Sequence, residues 1–144
     1  MRLGGTLAEV SVKWLEKKRF VGVDSTSHGI VISSASDEGK IGVKPSDLLL
    51  LSLGSCSAYD VIGILLKKRQ QVTGMEVRVT ADQLPDPPWQ FTGFHIHFQI
   101  RGREISEKAV ADAIELSDSK YCSVAATLKT GVPITHGFEI IQES

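Results

Sequence analysis

The side chains best equipped for chemistry are two cysteines, Cys56 and Cys122, the only thiols in the chain. A thiolate attacks a peroxide to give a sulfenic acid, which a second thiol within reach condenses into a disulfide. They stand far apart in sequence, with no further cysteine pair and no histidine pair at zinc-finger spacing. In a reducing compartment two such thiols are rarely a structural staple. Two readings remain at this level, thiol redox chemistry or a pair of inert buried thiols in a ligand-binding or structural protein.

Other chemistries find little support. His95 and His97, at i and i+2 of an alternating segment, offer two metal ligands but no visible third, and read as solvated side chains opposite a core face. His28 and His136 read as structural or exposed. No GxSxG, P-loop or GxGxxG string is present, and no His–Cys–Asn arrangement suggests a thiol protease. A net charge of −1 without a basic stripe argues against nucleic acid and anionic membranes.

The elements that must position the thiols are legible. Cys56 lies in Lys44–Arg69, a stretch apolar on every side from Leu48 to Leu66 and framed by Pro45 and Asp47 at one end and Lys67, Lys68 and Arg69 at the other. It predicts one helix of roughly 24 residues, buried all round. It is long enough to span a bilayer, but Asp60 and several serines inside it argue against that. The small residues Ser52, Gly54, Ser55, Ser57 and Ala58 form a waist for close packing, which places Cys56 deep at a contact between elements. Cys56 sits too far into this helix to gain from its N-terminus, so as a nucleophile it needs an outside cation such as an arginine.

Before the helix, alternation over Leu7–Leu15, resumed by Phe20, Val21 and Val23 after the turn Glu16-Lys17-Lys18, predicts a β-hairpin; a short strand over Gly29–Ser33 and a loop over Ser34–Lys44 follow. After it, Met75–Ala81 and Phe91–Arg101 read as antiparallel strands around a proline-rich loop, Leu84–Gln90, with Phe94, Ile96, Phe98 and Ile100 on one face. Ser106 caps a helix to about Leu116, Ser117-Asp118-Ser119 breaks it, and Ser119 caps a second helix, Lys120–Thr130, closed by Gly131. Cys122 then falls in a first turn, where the helix dipole favours its ionisation. Pro133–Gln142 is a final strand. The expectation is one α+β domain over residues 1–144, with dimerisation supplying cover for the long helix. The N-terminus lacks the apolar core of a signal peptide, so the expected compartment is cytoplasmic.

KPSDLLLLSLGSCSAYDVIGILLKKRQ, together with SDSKYCSVAATLKTGVPITHGFEI, resembles the OsmC/Ohr family, particularly its OsmC-like branch, and the likeness runs through nearly the whole chain. The resemblance implies an intertwined homodimer in which two long helices lie back to back between β-sheets, with sites at the subunit interface. It also implies thiol-dependent reduction of organic hydroperoxides or hydrogen peroxide in oxidative stress defence, with Cys56 peroxidatic and Cys122 resolving. The implied reductant is an external thiol, such as a dithiol, with no bound cofactor. The family activates the first thiol with an arginine from the N-terminal strands, held by a glutamate one residue after the proline. Here that position is Ser46, the nearest acid is Asp47, and Arg19 is the match for the arginine. Tyr121 and Asp60 are further candidates to face the thiols.

Overall fold

A computed structural model describes residues 7–144. The chain forms two compact units, the first ending at Leu49 and the second running Leu50–Ser144.

The first unit is a three-stranded antiparallel meander, β1 (Ser11–Glu16), β2 (Arg19–Val23) and β3 (Gly29–Ser33), as the alternation predicts. Residues 7–10 stay outside the strand. Lys17, at φ 48°, turns the first hairpin, and its carbonyl accepts the Trp14 indole N–H at 2.7 Å. In the second turn the Asp24 carboxylate accepts the backbone N–H groups of Thr26 and His28, leaving His28 exposed. The loop after β3 returns alongside it, with Val43 N–H donating to the Val31 carbonyl at 2.8 Å.

Helix α1 spans Asp47–Lys67, 21 residues and shorter than expected at both ends. Lys44–Ser46 forms a lead-in turn, with Asp47 N–H bonded to the Lys44 carbonyl. At the far end Arg69 adopts a left-handed conformation, φ 58°, and Gln70 N–H reaches back to the Leu65 carbonyl, a Schellman closure made without glycine.

In the second unit, β4 (Gln71–Gln83) pairs antiparallel with β5 (Phe91–Arg103), and β5 pairs parallel with β6 (Ile134–Gln142). The parallel pairing is what the intervening helices make possible, since they carry the chain back to the starting edge of β5. Phe94, Ile96, Phe98 and Ile100 are buried on one face, as their alternation predicts, and Leu53, Val61 and Leu65 of α1 and Val110 and Ala113 from the later helical segment are buried as well. Close approach requires glycine at two places. A Cβ on Gly54 of α1 would lie 2.8 Å from Val79 Cγ2, and one on Gly102 would press into the Gln71 carbonyl and lie 2.7 Å from Ile105 Cδ1.

Two expectations need correction. Helix α1 is not buried all round within the chain: Leu53, Ser57, Val61 and Leu65, spaced by four, form a single buried stripe, while Leu51, Tyr59 and Leu66 are exposed. Hydrophobicity alone cannot say how much cover one chain supplies. By length and composition α1 is also the one helix among the described residues able to cross a membrane. Its buried stripe is nevertheless covered by this chain's own sheet and helices.

The second correction concerns the run before Cys122. Helix α2 (Glu107–Leu116), capped by Ser106 as predicted, does not break at Ser117. Ser117 keeps helical angles, and the chain continues into a five-residue π-helical turn, Ser117–Tyr121, closed by Cys122 N–H to the Ser117 carbonyl at 2.8 Å. Ser119 bonds back to the Glu115 carbonyl at 2.7 Å instead of capping a new helix. Helix α3 is only Ser123–Leu128, and its N-cap is Cys122 itself.

Candidate functional site

Cys56 lies in the middle of α1, half-buried, with Ser57 beside it and Asp60 one turn further on the same face. Cys122 arrives from the other end of the unit. The π-helical turn inserts a residue into the helical path, and the chain then presents Cys122 at the start of α3, 2% exposed. Cys56 Sγ, Cys122 Sγ and a carboxylate oxygen of Asp60 all lie within 4.8 Å of one another. Cys122 is thus the deep thiol and Cys56 the more accessible one, the reverse of what the small-residue waist suggests.

The surroundings are polar only where these groups need partners. The Ser57 hydroxyl donates to Cys122 Sγ at 3.7 Å and the Ala125 N–H to the same sulfur at 3.4 Å. Ser117 Oγ donates to Asp60 Oδ2 at 3.0 Å. Ser57 and Ser117 are themselves buried. Burial, first, and the adjacent Cys56 thiol push the Cys122 thiol up, against the Ala125 N–H and Ser57 hydroxyl, which favour the thiolate. Position at a helix start therefore does not make Cys122 the readily ionised thiol, because desolvation exceeds what one N–H and one hydroxyl return.

An open cavity of about 570 Å³ leads to Asp60 and is lined by Tyr59, Gly63, Ile64, Leu116 and Tyr121, with Lys67 and Lys68 at its edge. Tyr121, next to Cys122, is exposed and contributes to this wall. His136 is half-buried on β6 with Nε2 3.6 Å from Asp118 Oδ1, and burial pushes its pKa down against the opposing pull of that carboxylate. It belongs to a separate small pocket with Glu115, Asp118 and Phe138.

Arg19 and Asp47 belong to the first unit and the thiols to the second. Arg19, at the start of β2, is not held by Asp47. Its Nη2 lies 2.8 Å and its Nε 3.1 Å from Asp37, a two-point ion pair, and its Nη1 lies 3.6 Å from Glu16. The two partners are largely buried, with side-chain exposures of 17% and 10%. The Arg19 hydrogen bonds hold the Asp37 carboxyl below the usual range, with burial opposing. Asp47 is an exposed first-turn residue of α1. Asp37 lay hidden in the loop Ser34–Lys44, where an acid among serines, glycines and charges carries no spacing signal.

Protein YhfA of Escherichia coli (strain K12) is 39% identical over 133 residues, covering 92% of this chain and 98% of YhfA. A crystal structure of a hypothetical protein from Aquifex aeolicus VF5 matches with a TM-score of 0.85 at 29% identity, over 97% of this chain and 100% of that one. The organic hydroperoxide resistance protein OhrB of Bacillus subtilis shares the fold, with a TM-score of 0.63 at 9% identity over 93% of this chain and 98% of that one. The family described as OsmC-like protein matches residues 36–137, a span that holds α1, the second sheet up to Gly137 and both cysteines. The two sheets and three helices of the chain agree with these likenesses, and the chain belongs to the OsmC-like protein family.

Proposed function

We propose that the protein is a thiol-dependent peroxidase that reduces organic hydroperoxides, and hydrogen peroxide where it reaches the site. Membership of the family points to a role in peroxide or stress response. OhrB, a protein of the same fold, is named for organic hydroperoxide resistance. The observation that carries the reading is the meeting of two free thiols, one half-buried and one fully buried, within 4.8 Å of each other and of Asp60, which lines an open cavity.

The Cys56 thiolate attacks the outer peroxide oxygen, the O–O bond breaks, and the alcohol leaves with a proton, so that the peroxide is reduced and the sulfur becomes a sulfenic acid. The Cys122 thiol then attacks that sulfur, expelling water and forming the Cys56–Cys122 disulfide, whose sulfurs must close to about 2.05 Å. An external dithiol reduces the disulfide and leaves as its own cyclic disulfide. The balance is one hydroperoxide and one dithiol to one alcohol, one water and one oxidised dithiol. No bound cofactor enters, and a reducing cytoplasm suits the cycle.

Burial of Cys122 favours the rival in which both thiols are inert. Mass spectrometry after one equivalent of peroxide separates the two: a loss of two mass units from a Cys56–Cys122 crosslink, formed promptly, is the expected result. Unmodified thiols after prolonged exposure would establish the rival.

The working form is a homodimer that covers the outer side of α1. Exposed Leu51, Tyr59 and Leu66 make that side unsuited to water, and each Å² of apolar surface covered contributes about 25 cal/mol. Sedimentation at micromolar concentration is expected to give a dimer with no folded monomer, and a stable folded monomer would refute this.

A further inference from the structure

We propose that the reduced thiols and Asp60 form a metal site of the zinc type, with Cys56 Sγ, Cys122 Sγ and one Asp60 carboxylate oxygen as ligands and a fourth position left to water. The three ligand atoms lie within 4.8 Å of one another, and no other group of three among the described residues does so. Four-coordinate zinc, with bonds of about 2.3 Å to sulfur and 2.0–2.2 Å to oxygen, needs ligand atoms about 3.5–3.8 Å apart. The set must contract by at most about an ångström, a distance within the reach of the half-buried Cys56 side chain.

The backbone supports this arrangement. Cys56 and Asp60 are one turn apart on a single face of a 21-residue helix, and Cys122 is pinned at the N-cap of α3. Partners around the ligands match those of metal sites, where neighbouring groups orient each ligand. Ser117 Oγ donates to Asp60 Oδ2 at 3.0 Å and so fixes the carboxylate that supplies the oxygen ligand. The Ala125 N–H and Ser57 hydroxyl both point at Cys122 Sγ, the direction in which a bound thiolate needs them. Two soft thiolates with one carboxylate suit zinc over magnesium or calcium, which take all-oxygen sets. The cavity at Asp60 supplies a route for the ion and room for the water. Coordination of a dication displaces a proton from each thiol.

The metal site uses the thiols but not their reaction with peroxide. Its consequence does rest on the peroxidase reading: thiolates held by zinc are withheld from peroxide, and a disulfide holds no zinc, so occupancy and oxidation exclude one another.

The test is anaerobic titration of the reduced, chelator-treated protein with Co²⁺, followed by displacement with Zn²⁺. The expected result is one cobalt per chain, a thiolate-to-cobalt charge-transfer band with the intense visible bands of four-coordination, release of two protons, and loss of the spectrum on adding zinc. Cys56→Ser and Cys122→Ser should each remove about half of the charge-transfer intensity. Asp60→Asn should weaken cobalt at least tenfold and Ser117→Ala by about 10–100-fold, the usual range for a group that orients a ligand. Far-ultraviolet circular dichroism checks that each variant is folded. Absence of the charge-transfer band at stoichiometric cobalt overturns the site, as does a folded Asp60→Asn or Ser117→Ala protein that binds as tightly as the parent. A cobalt spectrum without peroxide-driven disulfide leaves the metal site standing and removes the peroxidase; a disulfide without a cobalt spectrum does the reverse.

Discussion

Cys56→Ser is expected to abolish turnover of cumene hydroperoxide with dihydrolipoamide, by roughly three orders of magnitude or more, as when a covalent nucleophile is removed. A serine hydroxyl at this position has no adjacent base to activate it, and it does not form a sulfenic acid. Cys122→Ser should differ in kind. The first equivalent of peroxide is still consumed, because Cys56 is intact, and a stable Cys56 sulfenic acid accumulates in place of the disulfide. Trapping that species with dimedone separates attack from resolution. Full turnover in Cys56→Ser would show that the thiol pair is not the catalytic group.

Arg19→Ala is expected to slow peroxide oxidation at neutral pH and to move the rate–pH curve to higher pH, each unit of displacement corresponding to about 1.4 kcal/mol and a tenfold loss well below the original midpoint. A cysteine in apolar surroundings is a poor thiolate, so a useful nucleophile there needs a neighbouring positive charge. The family resemblance assigns that charge to Arg19, and what the structure shows of its guanidinium is a two-point contact with Asp37. That carboxyl is held below the ordinary range, so the pair carries a constant charge through neutral pH and any shift in the curve reports the thiol. Asp37→Asn should reproduce part of the effect by releasing the arginine, whereas Lys18→Ala should change little. Stopped-flow oxidation across pH reads all three, and an unmoved curve in Arg19→Ala would assign activation to another group.

Those two experiments fall on different sides of a line between local and long-range information. Local spacing determined a great deal: the central helix around Cys56, the buried face Phe94, Ile96, Phe98 and Ile100, the Ser106 cap of α2, and Asp60 one turn from Cys56. Each is a relation between residues a few positions apart, which helical or strand periodicity dictates before any tertiary contact forms. The paired thiol-bearing segments carried the resemblance to the family, whose model matches residues 36–137.

Tertiary structure decided the rest. It brought Cys122 to Cys56 and Asp60, through a π-helical turn in which Ser119 bonds back to the Glu115 carbonyl and Ser117 reaches across to Asp60, where their types suggested a break. It made Cys122 the buried thiol, so that desolvation outweighs the helix-end effect that position alone predicts. It paired Arg19 with Asp37 from the loop and left Asp47 exposed, and it covered only one stripe of a helix apolar on all sides. In each case the outcome depends on which distant group occupies the space beside a side chain, and that is a property of chain topology rather than of spacing along the sequence.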